Sequence, residues 1–256
     1  MTSSATGSDS TIEVGKTHAV LDQGLGDEIF EIIWGEEPNP IPTIVDHAYK
    51  QIWKLLVLAG IQEKRRLSDV TLAEQLGVSR TPVRQALDRL VQDGLVRADP
   101  RRGFWVRVFT EQDVHELYDM RGALEVLALR LAAPSLDPAD LTFHLDHLYD
   151  VRSQLDQRPV VPFLRSDLRL HSLLIHSSGN GRLIHCLATL RSQLSLFQVR
   201  DTSFPQRMEA ALRDHEQILH ALLQRDTDTA ANLLADHLVH AKKSVLVDLF
   251  GAKGDE

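Results

Sequence analysis

The sequence has little of several things that define other classes of protein. Cys186 is the only cysteine among 256 residues, so no internal disulfide can form and a disulfide-framework secreted protein is excluded. No apolar run approaches the roughly 18 residues that span a bilayer, so no membrane partner is expected. The opening stretch, MTSSATGSDSTIEVGK, lacks a basic patch followed by an apolar core, so no secretory signal is expected. These absences predict a cytoplasmic protein.

The composition that is present is globular, and its charge is uneven. Hydrophobic residues make up 43% and charged residues 25%, and the chain is long enough for two domains. The net charge is −8, yet residues 42–110 hold 12 Lys and Arg against 7 acidic residues, whereas residues 1–41 hold one Lys against 8 acidic residues. A basic segment between acidic ones is expected when one domain binds a polyanion such as DNA.

Residues 1–41 form an acidic N-terminal extension that is predicted to be partly disordered, because it opens with a Ser/Thr/Gly-rich tail. Within it, Ile29 to Trp34 (IFEIIW) is apolar and is expected to dock on the rest of the protein. Pro38, Pro40 and Pro42 then break regular structure and mark a boundary.

Residues 42–108 show the order helix, helix, tight turn, helix and two-stranded wing. Apolar residues recur at helical spacing from Ile44, and the next helix, LSDVTLAEQLG, has Ser68 or Asp69 as its N-cap and Gly77 at its end. A third helix, SRTPVRQALDRLVQDG, is followed by the strands LVRA and FWVRVF around the turn DPRRG. This order predicts a winged helix–turn–helix domain.

Residues 109–250 read as helix almost throughout, with a short tail at 251–256. The periodicity predicts six helical segments, roughly 111–135, 138–156, 161–177, 180–198, 205–224 and 227–249. The predicted fold is therefore mainly α, a winged helix–turn–helix followed by an all-α bundle of about six helices.

Arginines cluster where such a domain meets DNA. Arg80 and Arg84 stand four residues apart on one face of the third helix, and the arginine fork can bond guanine O6 and N7 together. The turn of the wing could reach phosphates or enter the minor groove. The predicted DNA-binding residues are Ser79, Arg80, Thr81, Arg84, Arg101, Arg102 and Gly103.

The stretch LAEQLGVSRTPVRQALDRLVQDGLVRADPRRGFWV resembles the winged helix–turn–helix of GntR-family bacterial transcription regulators, in its GVSRTPVRxAL core and its RRG wing tip. The resemblance implies a regulator that binds double-stranded operator DNA and is not an enzyme. A homodimer is expected, because one winged helix offers few base contacts and a dimer doubles them.

Histidines and one aspartate suggest a metal site in the bundle. Asp167 and His171 are four residues apart on one helix face, and His215 and His237 lie on two later helices. One carboxylate oxygen and three imidazole nitrogens suit Zn, Ni, Fe or Mn. Nearby alternative ligands are His176, His220 and His240.

The segments SDLRLHSLLIHSSGN and DHEQILHALLQRDTDTAANLLADHL are similar to the C-terminal domain of the FCD (FadR/VanR-like) subgroup of GntR regulators. In that subgroup the matching Asp, His, His and His bind a metal, which implies one divalent ion per subunit here, with zinc expected first. The resemblance also implies a small carboxylate effector at the metal, with Arg121 and Asn180 as candidate effector-binding residues. Each has an alternative role: Arg121 can pair with Glu125, and Asn180 can cap a helix.

The sequence is compatible with three functions. The leading one is a regulator, with repression favoured, whose operator binding responds to the carboxylate effector. A metal-dependent hydrolase with an appended DNA-binding head is the main alternative, because the same four ligands could activate a water, although no H-E-x-x-H arrangement is present. An architectural DNA-binding protein with a structural bundle is the third.

Overall fold

The computed structural model describes residues 23–34, 43–59, 65–157, 159–201 and 205–251. Several predictions made for the extension and the tail lie outside these residues. They are the disorder of the first residues, the boundary at Pro38, Pro40 and Pro42, and the tail beyond Gly251.

The first of two compact units comprises Met1–Phe30 and Glu37–Phe109. Its elements are the first part of α1 (Gln23–Trp34), then α2 (Ile44–Ala59), β1 (Arg66–Leu67), α3 (Asp69–Leu76), α4 (Arg80–Gln92), β2 (Val96–Asp99) and β3 (Gly103–Val106). This is the predicted winged helix–turn–helix, with α3 and α4 as its two helices.

The ends of α3 follow from local capping. Ser68 Oγ accepts a hydrogen bond from the Thr71 N–H at 3.2 Å, so Ser68 rather than Asp69 is the N-cap. Gly77 ends the helix with φ of 65°, a left-handed conformation that glycine adopts at little cost. Ser79 is the N-cap residue of α4, and its side chain makes no capping hydrogen bond.

Both predicted strands of the wing are present, and the sheet has a third strand that was not predicted. β2 and β3 pair antiparallel, with Val96 opposite Val106, as their sequences predicted. β1 lies along the other edge of β3, with Arg66 opposite Trp105. A strand of two residues is too short to show the alternation from which strands are predicted, so its sequence carried no signal.

The core of the first unit is formed mainly by α2 and α4, which pack against each other. Trp53 of α2 and Leu87 and Leu90 of α4 are fully buried. The predicted docking of the apolar segment in the extension is confirmed at its first residues. Ile29 is fully buried, and the Phe30 ring meets the Trp53 ring edge-on, with centroids 5.4 Å apart.

The second compact unit comprises Glu31–Glu36 and Thr110–Glu256. From Thr110 onward its described helices are α5 (Glu111–Ala132), α6 (Pro138–Ser153), a 3₁₀ turn (Leu155–Gln157), α7 (Val160–Ser177), α8 (Gly181–Asp201), α9 (Pro205–Leu223) and α10 (Thr227–Phe250). α10 packs against α5 and α9, and α5 also packs against α7. The six predicted helical segments and the mainly α fold class are confirmed.

Capping explains where these helices begin. Thr110 Oγ1 accepts from the Asp113 N–H at 3.1 Å while Asp113 Oδ2 accepts from the Thr110 N–H at 2.8 Å, which forms a capping box at α5. Asp137 Oδ1 accepts from the Ala139 N–H at 2.9 Å, and Pro138 occupies the first turn of α6, as the sequence predicted. Among the described residues, no helix is both long and apolar enough to cross a membrane.

Candidate functional site

The amino end of α4 carries exposed polar side chains. Four residues that were predicted to bind DNA are exposed here, namely Ser79, Arg80, Thr81 and Arg84. Arg80 Nη2 lies 2.9 Å from Asp69 Oδ2, and this hydrogen bond lowers the pKa of Asp69. Arg84 has no such carboxylate contact within the described residues, and its guanidinium lies 6.0 Å from the Phe104 ring centroid. Arg84 therefore keeps its hydrogen-bond donors available for a base edge.

The tip of the wing is ordered by one carboxylate. Asp99 Oδ1 accepts from the backbone N–H groups of Arg101 at 2.8 Å and Arg102 at 3.0 Å, while both arginine side chains are exposed. Gly103 has φ of 80°, which a residue with a Cβ rarely adopts, so glycine is required for this turn. The turn thus presents two cations on a fixed backbone.

The four predicted metal ligands come together in the second unit. Asp167 and His171 lie on α7, His215 on α9 and His237 on α10, and all four are buried. One candidate ligand atom from each lies within 4.8 Å of every other. His215 Nε2 is 3.2 Å from His237 Nε2 and 3.6 Å from Asp167 Oδ1, and His171 Nε2 is 3.8 Å from Asp167 Oδ1.

The donor atoms fit a transition-metal ion. Two ligand atoms that each lie about 2.1 Å from one zinc ion are about 3.0–3.4 Å apart, which agrees with the separation of the His215 and His237 nitrogens. His171 Nε2 is buried without a hydrogen-bond partner in the described part of the chain. An unsatisfied buried nitrogen is costly unless something else binds it, and a metal ion would.

Burial keeps two of these histidines in the form that binds metal. It lowers the pKa of His215 well below its ordinary value, and the neighbouring His237 and His171 act in the same direction. Burial also lowers the pKa of His237, although a hydrogen bond to Asp214 opposes the change. Both imidazoles are therefore neutral near pH 7, as ligation requires.

Glu125 on α5 links an arginine to a predicted ligand. Arg121 Nε donates to Glu125 Oε1 at 2.7 Å, and His171 Nδ1 donates to Glu125 Oε2 at 2.5 Å, with all three side chains buried. Burial alone would raise the pKa of Glu125, but the charge of Arg121 and the contact with His171 hold it well below its usual range. The pairing of Arg121 with Glu125 that the sequence offered as an alternative is present.

Two further polar residues surround the cluster. Asp214 Oδ2 lies 3.3 Å from His237 Nδ1, and Gln198 Nε2 donates to Asp167 Oδ2 at 3.1 Å. Asp214, Gln198 and the contact of Glu125 with His171 were not predicted. The only local signal was that Asp214 directly precedes His215, and adjacent residues do not share a helix face.

The alternative histidines lie outside the cluster. His176, His220 and His240 are exposed. His240 Nδ1 contacts Asp214 at 3.4 Å rather than the cluster. Asn180 Oδ1 accepts from the Leu183 N–H at 3.2 Å, so the structure supports its helix-capping role.

Two cavities reach the cluster, and Arg121 and Gln198 line both. The smaller, of about 90 Å³, also meets His171 and Arg191. The larger, of about 200 Å³, also meets Arg207, and its other lining residues include Asp167, Asp214, His237 and His240. Asn180 lines neither cavity. A small polar molecule therefore has room beside the candidate ligands.

Comparison with known proteins gives two family matches. The model described as bacterial regulatory proteins, gntR family, matches residues 44–106, and the model described as FCD domain matches residues 116–240. The HTH-type transcriptional regulator YdhC of Bacillus subtilis (strain 168) is 28% identical over 193 residues, covering 75% of this chain and 86% of its own. The HTH-type transcriptional repressor RspR of Escherichia coli (strain K12) is 24% identical over 207 residues, covering 81% and 91%. The solved structure of Escherichia coli McbR/YncC shares the fold, with a TM-score of 0.67 at 21% identity over 81% of this chain and 99% of that one.

A winged helix–turn–helix followed by an all-helical domain, with these relatives, defines a DNA-binding transcription regulator rather than an enzyme. The chain belongs to the GntR family of bacterial regulatory proteins and carries an FCD domain after its DNA-binding domain. The hydrolase alternative is not favoured, because the family and the relatives are transcription regulators.

Proposed function

We propose that the protein is a homodimeric repressor that binds a short pseudo-palindromic operator. Its affinity for the operator would change when a small carboxylate binds to a divalent metal ion in the FCD domain. It would act in the cytoplasm, where bacterial operators are found. The observation that carries the proposal is the buried cluster of Asp167, His171, His215 and His237, with the unpartnered Nε2 of His171.

The residues support one metal ion per subunit, and FCD domains often bind a metal. Three imidazole nitrogens and one carboxylate oxygen suit zinc first, and nickel, iron or manganese also accept this set. When bound, the ion would supply positive charge and coordination positions beyond those filled by the protein. The roles of Glu125 and Asp214 would be to orient His171 and His237 through their Nδ1 atoms.

Charge favours an anionic effector at this position. A divalent ion with Asp167 and three neutral imidazoles has a net charge of about +1. Glu125 already neutralises Arg121, so this pair leaves the local balance unchanged, whereas the Asp214 carboxylate beside His237 offsets part of the charge of the ion. A small monoanionic carboxylate would neutralise the remaining charge, and the adjoining cavities give it room.

The DNA-binding half of the proposal rests on the exposed arginines of the first unit. Arg80 and Arg84 share one face of α4, and Arg101 and Arg102 stand at the wing tip. Two copies would match the symmetry of a pseudo-palindromic operator. Repression is supported by the relative RspR, which is named a transcriptional repressor.

Elemental analysis of the purified protein tests the metal. We expect about one transition-metal ion per chain in the wild type and little in His215→Ala or His171→Ala. His220→Ala is the matched control, because His220 is an exposed histidine on α9, the helix that carries His215. The two metal-free variants should still bind operator but lose its response to a panel of small carboxylates. A metal-free wild type that still responds to a carboxylate would contradict the proposal.

A further inference from the structure

Arg191 places a positive charge in an otherwise uncharged stripe of α8. The residues of α8 that line the smaller cavity are Ile184, Leu187, Ala188, Arg191, Leu194 and Gln198. Their spacing puts them on one face of the helix. The walls of this cavity on α7 include the apolar residues Leu168 and Ile175. A cationic residue in a cavity wall that is largely aliphatic on α8 points to a ligand with an anionic group at this position.

The charge of Arg191 has no carboxylate partner among the residues that the structure describes. Its Nη1 donates to the Ile33 carbonyl at 3.3 Å. A neutral carbonyl does not compensate the charge, and it engages only part of the donor set of the guanidinium. Arg121 in the same cavity differs, because Glu125 holds it at 2.7 Å. Arg191 is therefore the cation in this cavity that is available to a second anion.

The polar groups of the stripe lie at its Gln198 end and at Arg191, near its middle. At one end Gln198 donates to Asp167 of the cluster, and His171 also lines the cavity there. Arg191 lies seven residues earlier, about 10 Å along the helix. A ligand with one group at the cluster would extend along apolar walls toward the guanidinium. The cavity volume of about 90 Å³ restricts it to a short chain.

We propose that the smaller cavity selects a short aliphatic dicarboxylate, with one carboxylate at the metal cluster and the other bound by Arg191. This inference rests on the proposed function and names the effector class. Planar guanidinium and carboxylate groups pair through two parallel hydrogen bonds, so the second carboxylate gains both charge and geometry. Because Arg191 balances the charge of the second carboxylate, the cavity should bind a dicarboxylate more tightly than a monocarboxylate of equal length.

Calorimetric titration of the full-length, metal-loaded protein tests this inference with two matched pairs of acids, succinate against butyrate and glutarate against valerate. We expect the wild type to bind the dicarboxylate of each pair at least about tenfold more tightly. Arg191→Met should remove this preference and leave the monocarboxylate affinities unchanged. Arg191→Lys, which keeps the charge, should retain part of it.

Two further variants separate binding from structure. Arg191→Gln keeps a donor for the Ile33 carbonyl but not the charge, so it would rescue a merely structural role and would not rescue the dicarboxylate preference. Arg182→Met removes an exposed arginine of α8 that lies outside the stripe, and it should behave as wild type. Metal content and thermal unfolding, measured for each variant, show that it is folded and loaded.

Equal affinity of the wild type for both members of each pair would overturn the inference. A dicarboxylate preference that survives in Arg191→Met and Arg191→Gln would also overturn it. So would a dicarboxylate preference that disappears in Arg207→Met, because Arg207 lines the larger cavity. In each of these cases carboxylates still bind and the proposed function stands. If no acid binds to metal-loaded protein, the proposed function fails and this inference fails with it.

Discussion

His171 and Glu125, 46 residues apart in sequence, are joined by a buried hydrogen bond of 2.5 Å. The pKa of Glu125 lies well below its usual range because Arg121 and His171 outweigh the effect of burial, so its carboxylate is ionised and can only accept. His171 must therefore carry its proton on Nδ1. In the neutral imidazole Nε2 then keeps its lone pair, on the side of Asp167, which is the tautomer that a metal ligand needs.

Replacing Glu125 with Gln should weaken metal binding without removing any ligand. The amide can donate to Nδ1 and so support the wrong tautomer of His171, and it lacks the charge that strengthens the imidazole as a donor. We expect the zinc affinity to fall about 10–100-fold, measured by competition with a chromophoric chelator. Glu116→Gln, an exposed position on the same helix, is the control. Equal affinities in the two variants would show that Glu125 does not position His171.

Metal-free protein should lose stability as the pH falls below about 6.5. In the unfolded chain His215 and His237 take up protons near that pH, whereas burial lowers both pKa values in the folded state. The unfolded state then binds more protons, so the free energy of unfolding decreases toward acid by up to about 1.4 kcal/mol per pH unit for each histidine.

Urea unfolding of chelator-treated protein between pH 5 and 7.5 measures this slope. His215→Gln should make it shallower, because one of the two titrating groups is gone. His220→Gln should leave it unchanged, because His220 is exposed. A slope that is the same in His215→Gln and in the wild type would contradict the assignment of the proton uptake to the cluster.

Arg84→Ala should weaken operator binding and relax its sequence preference. Loss of a bidentate contact with guanine costs about 1–3 kcal/mol per half-site. The fold should survive, because the Arg84 side chain is exposed. Fluorescence anisotropy with the operator and with single-base variants measures both effects. Arg213→Ala, which removes an exposed arginine of the FCD domain, is the control. If Arg84→Ala binds the operator as tightly as this control does, Arg84 makes no base contact.

Arg102→Ala should weaken binding to all sequences alike. Arg102 stands at the wing tip on a backbone that Asp99 orders, so we expect it to meet a phosphate. Loss of one phosphate contact lowers the slope of log affinity against log salt by about 1 per subunit. Titrations at several salt concentrations give the slope, and an unchanged slope with altered base preference would assign Arg102 to base reading instead.

The free protein should be a dimer in solution and should protect a pseudo-palindromic site. Light scattering gives the mass of the particle, and footprinting on the promoter region of its own gene gives the symmetry of the site. Half-sites should be spaced for two winged helices on one DNA face. A monomer that protects an asymmetric site would contradict this prediction.

Local sequence rules predicted most of the helices because their signals lie within a few residues. The Asp137-Pro138 pair begins α6, and Ser68 and Gly77 bound α3 as capping rules require. β1 was missed because its two residues acquire their strand conformation only by pairing with Trp105 and Phe104, far along the chain. Tertiary pairing decides such short elements.

In the candidate site, too, the features with a local sequence signal were predicted and the contacts between helices were not. The four ligand residues could be named from the spacing of Asp167 and His171 and from the FCD resemblance. The contact of Glu125 with His171 and that of Gln198 with Asp167 join different helices, so no spacing rule could predict them. The place of Arg191 in a cavity wall depends on how α8 packs in the folded protein, so no local pattern in the sequence indicates it.

The candidate ligands come from α7, α9 and α10 and extend along the chain from Asp167 to His237, so an ion held by them would join three helices. Such an ion would be a removable cross-link in a chain whose single cysteine can form no internal disulfide. It would stabilise the folded state only when the metal is available, because the unfolded chain has no preformed site for it. The lifetime of the folded regulator in the cell would then follow the supply of the ion, whether or not any effector is present.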